Sequence, residues 1–302
     1  MSPIRPIESD WLRMRRAADG RAREAAMELV QVLVEHLGPA PALALVDLGS
    51  GTGANPAWLA PAIHRTYAQR GAAAPAQHWL LLDHDPDLLA AHDVGERPEV
   101  SSGQAVVAAV DDLAQVLGQA SRPTVVTCSA LLDLLTVPQI EGLVQATTTA
   151  AADGALLSLT VTGEVGLSPG HPDDDLILSI FNAHQQRSAD AADVAAFDSG
   201  LDFGLDAGLA GPAGWQTAAE AFAGRGWEVR QRTTAWLLDE AHTPLLRRWL
   251  SDRVEAVLEL LDSRDPRVAV VAAWWEVRSA QIDRGELRAE VGHVDGLALP
   301  SS

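Results

Sequence analysis

Three glycines at alternate positions, Gly49, Gly51 and Gly53, follow an aspartate in the segment Val46-Asp47-Leu48-Gly49-Ser50-Gly51-Thr52-Gly53. Residues without a Cβ let the chain turn through positive φ and bring its backbone close to a ligand. The segment comes after an apolar run that reads as a strand and before a stretch with helical spacing. Its free N–H groups therefore gather at a helix start, where they suit a carboxylate or a phosphate. A nucleotide-type ligand matches that chemistry, but the class of nucleotide is open at this point. Gly49, Gly51 and Ala54 also satisfy the G-x-G-x-x-[GA] pattern of nicotinamide-dependent oxidoreductases. Against that alternative stand the acidic Asp47, the third glycine at 53 and a long helical stretch before the first strand. In addition, the only tyrosine, Tyr67, is followed by Ala68-Gln69-Arg70-Gly71 rather than by a lysine four residues on.

With an acidic residue, an apolar residue and then G-x-G-x-G, the segment resembles the first motif of class I S-adenosylmethionine-dependent methyltransferases. The resemblance implies that Gly49, Ser50, Gly51 and Gly53 contact the methionine portion of the cofactor, with Asp47 near its amine. It also implies an acidic residue at the end of the second strand, accepting hydrogen bonds from the ribose hydroxyls. Asp83, after Leu80-Leu81-Leu82 and before His84, meets that description, and His84 joins the cofactor candidates beside it. A helix cap before Pro86 is the plainer role for Asp83. After the third strand, Asp111 and Asp112 match the adenine-contacting segment, and the choice between them stays open because either could cap the next helix. The segment 127–133 falls where the family lines the methyl-transfer site, so Ser129 is a cofactor candidate and Asp133 a catalytic one. Cys128, inside it, reads as a small buried residue, since no matched His and orienting acid accompany it.

On the acceptor side the segment Phe181-Asn182-Ala183-His184-Gln185-Gln186 is unusually polar for a helix expected to cover a pocket. His184 is the candidate general base, and Asn182 and Gln185 are candidate substrate contacts. Together with Gly292-His293-Val294-Asp295, the Asn-x-His-Gln element resembles one found in a group of bacterial methyltransferases. Asp173, Asp174 and Asp175 precede this helix; consecutive residues point in different directions, so capping explains them better than a metal, and no metal is expected.

The elements that must position these residues alternate. Strands are expected at 42–48, 78–83, 104–110, 123–128, 154–161 and 227–238, with a last one near 286–299. Helices are expected at 56–70, 86–94, 112–118, 138–152, 175–186, 214–226, 243–261 and 266–284, after an N-terminal helix over 9–37 that ends at Gly38-Pro39. This is the α/β pattern of parallel strands with crossover helices. The resemblance sharpens it to a Rossmann-like, seven-stranded, mostly parallel sheet with helices on both faces and an antiparallel last strand. Residues 1–40 form an N-terminal helical segment and 41–302 the main domain, with 163–214 as a substrate-side insertion over the active site and 240–285 as a helical insertion. Trp236, Trp249, Trp274 and Trp275 read as core or interface anchors, so a homodimer through the C-terminal helices is one expectation.

Composition narrows the partners. The 302 residues carry a formal net charge of −19, with 47% apolar and 21% charged residues. Such a field repels phosphate backbones, so no nucleic-acid partner is expected. Arg13, Arg15, Arg16, Arg21 and Arg23 read as a solvated helix face balancing the acidic body. No apolar run suits a bilayer, no signal-peptide pattern opens the chain, and a single cysteine fits a reducing cytoplasm. The expected activity is methyl transfer to a small-molecule acceptor, leaving S-adenosylhomocysteine. The alternatives are an NAD(P)-dependent oxidoreductase and a catalytically silent S-adenosylmethionine-binding protein. The acidic surface favours a neutral or cationic acceptor.

Overall fold

The computed structural model of the chain describes residues 8–185 and 208–301. The part of the expected insertion at 186–207 lies outside them. Seven strands form one sheet: β1 Ala42–Leu48, β2 Ala76–Asp83, β3 Val100–Val107, β4 Thr124–Ser129, β5 Gly154–Ser168, β6 Trp227–Leu238 and β7 Arg288–Pro300. Their spatial order is β3-β2-β1-β4-β5-β7-β6. The pairings among β1 to β5 are parallel, and β7 runs antiparallel to both β5 and β6. β1 is buried along nearly its whole length, as a central parallel strand covered on both faces must be.

The chain goes from β1 outward to β2 and β3, then returns to place β4 on the other side of β1. The loops leaving β1 and β4 therefore diverge, opening a crevice at the carboxyl ends of these strands, where open α/β sheets bind their ligands. The glycine segment leaves β1 at this point, and Ser129 closes β4 there.

Helices α3 Ala54–Gln69, α4 Pro86–Ala90, α5 Leu113–Leu117 and α6 Val137–Thr149 connect the parallel strands. α6 starts where Thr136 and Gln139 form a reciprocal capping box with Pro138 in the first turn. The expected single helix over 9–37 is two, α1 Ser9–Arg23 and α2 Met27–Leu37, joined by a 3-10 turn at Glu24–Ala26. The break lets each half pack on a different surface. α2 joins α3 against one face of the sheet through Leu29, Leu33, Leu59 and Ile63, while α1 lies across the β6 and β7 end. The opposite face is covered by α5, α6 and α8 Gly214–Ala223.

A third apolar cluster joins α1, α7 Asp174–Gln185, α9 Thr243–Leu260 and α10 Arg267–Asp283 over the outer part of β5, β6 and β7. Trp236, Trp249 and Trp274 are all buried in it, so the core reading of these side chains holds within one copy of the chain. Arg278, fully buried on α10, fixes α7 by pairing with Asp174, which also accepts from Trp274 Nε1 at 2.8 Å. Asp174 thus neutralises a buried cation at the start of α7.

β5 runs to Ser168, past the expected end at 161. Residues 165–168 pair with Val291 to Arg288. Gly163 and Gly166 make this stretch look irregular in sequence, but an antiparallel partner supplies backbone hydrogen bonds whatever the side chains are. β3 begins and ends earlier than expected because it is an edge strand with mostly exposed side chains.

Candidate functional site

Gly49, Gly51 and Gly53 all have positive φ, +58°, +50° and +78°, which explains the residue type at each. The space is also closed to side chains: a Cβ on Gly49 would meet Leu131 Cδ1 at 2.9 Å, and one on Gly53 would meet Val94 Cγ2 at 2.7 Å. The loop is tied to its neighbouring strand. Ser50 N–H donates to the Leu82 carbonyl at 3.0 Å, and Gly51 N–H donates to Asp83 Oδ2 at 2.8 Å.

Asp83 is only 6% exposed. Its Oδ1 accepts the Asp85 N–H at 3.0 Å, with His84 Nδ1 at 3.3 Å. Burial raises its pKa, but the hydrogen bonds from His84, Asp85 and Gly51 together outweigh burial and hold the carboxyl below its ordinary range. The same contact raises the pKa of His84. A carboxylate offers four lone-pair positions. Three are engaged, so Asp83 keeps one on Oδ2 and gains another if His84 turns aside. The capping role goes to Asp85, whose side chain accepts from the first turn of α4.

Asp47 lies fully buried beneath the loop. Its Oδ1 accepts from Asn55 Nδ2 at 2.5 Å and Thr127 Oγ1 at 2.7 Å, while Oδ2 has no partner. Ser50 Oγ is likewise enclosed and unpartnered. Burial raises the Asp47 pKa to about 7, against the pull of Thr127, Asn55 and Arg23. The native state therefore holds this proton to a higher pH than the unfolded chain, whose value is near 3.8. The stability it contributes is complete below that lower value and is lost as pH rises through about 7. Urea unfolding of Asp47→Asn should show the variant gaining on wild type between pH 4.5 and 7.5. A constant difference across that range contradicts the assignment.

The expectation that Arg23 belongs to a solvated face is overturned. Arg23 is 2% exposed, donates to Asn55 Oδ1 at 2.7 Å and Ser158 Oγ at 3.1 Å, and lies 3.6 Å from Asp295. Asp295 in turn accepts from Leu159 N–H and Thr234 Oγ1. One buried polar network thus runs from the glycine loop through α1 to β7. Arg15, Asp19 and Arg23 form an inward stripe at spacing four: Arg15 Nε donates to Asp19 at 2.9 Å, and Asp19 accepts from Trp236 Nε1 at 2.9 Å. On the next stripe Leu12 Cδ1 would be 3.1 Å from a Cβ on Gly51, and Arg16 donates to the Gly53 carbonyl at 3.3 Å. α1 therefore covers the glycine loop. The signal for this in sequence is Ala18 and Ala22, small apolar residues flanking the polar stripe and both buried. Arg13 and Arg21 are exposed as expected.

The remaining candidates divide. Asp112 Oδ2 accepts the Ala109 N–H at 2.9 Å as a cap, and Asp111 is exposed beside it. Ser129 ends β4, followed by Ala130 at φ +53°. Asp133 turns an enclosed Oδ1 inward with no partner, and burial raises its pKa. Asn182 donates to the Gly163 carbonyl at 3.1 Å, and His184 Nε2 lies 3.0 Å from Glu259 Oε2 on α9. Both side chains thus hold α7 to its neighbours; Gln185 ends that helix, partly buried. Cys128 is buried, and burial pushes its thiol pKa up. Among the described residues no cluster of three His, Cys, Asp or Glu could hold a metal, and no helix is long and apolar enough to cross a membrane.

No protein-family model and no curated protein matches the chain. Among solved structures, it aligns over 99% of its length with 96% of a cyclopropane-fatty-acyl-phospholipid synthase-like protein from Lactobacillus casei, at 14% identity and TM-score 0.54. It also aligns over 99% of both chains with loganic acid methyltransferase, solved with SAH, at 11% identity and TM-score 0.50. At these identities the likeness is one of fold: this chain has the Rossmann-like fold of those proteins over nearly its whole length.

Proposed function

We propose that this protein transfers the methyl group of S-adenosylmethionine to a small-molecule acceptor. The observation that carries the reading is the glycine loop itself. Three left-handed glycines sit at the switch point of the sheet, with the middle N–H anchored on a strand-end carboxylate that retains acceptor capacity. The shared fold with loganic acid methyltransferase supports the same reading.

The site suits this ligand in detail. Gly49, Gly51 and Gly53 bring the backbone close where side chains have no room, which suits the methionine portion. The unpartnered Asp47 Oδ2 and Ser50 Oγ are polar atoms that a ligand amine and carboxylate would satisfy. Asp83 would accept from a ribose hydroxyl, with His84 alongside. Because Asp112 is committed to a cap, we assign the adenine edge to the turn containing Asp111. Bound there, the ligand supplies a methyl group on a sulfonium, which an acceptor displaces in line. The protein's share of that reaction is alignment and exclusion of water. α1 lies over the loop through Leu12 and Arg16, and in this reading Ser129 and Asp133, at and just after the end of β4, would line the reacting side. In this reading Asp133, whose pKa burial raises and whose enclosed Oδ1 has no partner, would take a proton from an acceptor. His184, bonded to Glu259, positions α7 instead. A single buried cysteine suits the reducing cytoplasm.

Calorimetric titration with S-adenosylmethionine, S-adenosylhomocysteine and NAD(H) tests the proposal. The two adenosyl ligands should bind at micromolar concentrations and NAD(H) should not. Binding of NAD(H) alone would replace methyl transfer by hydride transfer, and binding of the adenosyl ligands with no turnover of any acceptor would make the protein a silent binder.

A further inference from the structure

The glycine loop offers a carboxylate fewer N–H groups than its sequence promises. Ser50 N–H goes to the Leu82 carbonyl at 3.0 Å, Gly51 N–H to Asp83 Oδ2 at 2.8 Å and Gly53 N–H to the Ser50 carbonyl at 2.9 Å. Two buried acids also adjoin the loop, Asp47 beneath it and Asp83 beside it, and like charges this close repel a further anion. An amino-acid carboxylate arriving at the loop therefore needs a cation.

Two arginines of α1 reach this region. Arg23 is committed to Asn55, Ser158 and Asp295. Arg16, one turn after the Leu12 that lies over Gly51, donates through Nη2 to the Gly53 carbonyl at 3.3 Å. That carbonyl already accepts the Ala57 N–H at 3.2 Å in the first turn of α3, so the bond from Arg16 is a long second one. Among the described residues one carboxylate lies within ion-pair distance of Arg16. It is Asp93, 3.8 Å away, and both its oxygens accept from Arg97 at 3.0 Å. Arg16 Nε is enclosed and has no partner. Nε and Nη2 form the edge on which a guanidinium takes a carboxylate in two parallel hydrogen bonds. Here that edge holds one long bond to a shared carbonyl. Fastening α1 does not account for it, because Arg23 and the bond from Trp236 to Asp19 already hold that helix. An enclosed donor left unsatisfied points to a ligand.

We propose that Arg16 receives the carboxylate at the amino-acid end of the ligand and so makes the site selective for an adenosyl ligand that carries one. The assignment rests on the methyltransferase reading. It gives to a side chain of α1 the role that local sequence gives to the loop N–H groups. The Gly53 carbonyl keeps Ala57 as a donor when Arg16 turns to the ligand, so α3 is undisturbed.

The test is calorimetric titration of the full chain with S-adenosylhomocysteine and with decarboxylated S-adenosylhomocysteine, the same molecule with hydrogen in place of its carboxylate. Wild type should bind the first at least about tenfold more tightly, as a charge-assisted pair of hydrogen bonds provides. In Arg16→Met the preference should collapse, with affinity for the decarboxylated ligand nearly unchanged and thermal unfolding of the free protein close to wild type. Arg16→Lys, which keeps the charge without the planar edge, should retain part of the preference. Equal binding of the two ligands by wild type overturns the proposal, as does an Arg16→Met that keeps the preference. An Arg16→Met that weakens both ligands alike also overturns it, since Arg16 then only supports the loop. If Arg16→Met does not fold, Arg16→Lys decides, and an undiminished preference there counts against the assignment. Binding of neither ligand to wild type removes the methyltransferase reading together with this assignment, whereas a preference indifferent to Arg16 removes the assignment alone.

Discussion

Replacing Asp83 by alanine should weaken S-adenosylhomocysteine binding roughly a hundredfold while the protein stays folded. Two losses add up. The ribose contact proposed for the carboxylate would be gone, and Gly51 N–H loses its anchor at 2.8 Å, so the loop is no longer held in its shape. A hydrogen bond to a charged group contributes about 1.5–3 kcal/mol. One such bond with part of the loop ordering comes to about 3 kcal/mol, or about two decades in affinity. Asp83→Asn should fall between, because its amide oxygen can still accept from Gly51 without the charge. Calorimetry gives the affinities and thermal unfolding confirms the fold. Alanine binding within threefold of wild type would remove Asp83 from the cofactor site.

The second large effect is on stability. Arg23→Met should lower the unfolding free energy by about 3–5 kcal/mol, the range for removing one partner of a buried ion pair. The substitution leaves Asn55 Oδ1 and Ser158 Oγ short of a donor and leaves Asp295 and Asp47 without a nearby cation. Both acids already have pKa values raised by burial, and loss of the cation raises them further. The variant should therefore suffer most at pH 8, where the charged forms are demanded, and less near pH 5, where these acids can hold their protons. The double variant Arg23→Met with Asp295→Asn should recover part of the loss, since it removes both ends of the pair. Urea denaturation at the two pH values measures all of this. A pH-independent cost below 1 kcal/mol would mean that the network does not hold α1 to the sheet.

Local pattern was enough to locate the strands of the parallel core, the glycine turn and Asp83, because each depends on residues adjacent in the chain. A buried parallel strand needs a continuous apolar run, a left-handed turn needs glycine, and the end of an apolar run is where a strand-end carboxylate must be. The tertiary structure decided the rest. Whether Arg23 faces water or the interior depends on Asn55, Ser158 and Asp295, which come from α3, β5 and β7. Helical periodicity marks a polar stripe without saying what lies opposite it. Likewise the polar run around His184 is evident in sequence, but its contact with Glu259 on another helix is not. A buried charge is read only through the partners around it, and folding alone assembles those partners.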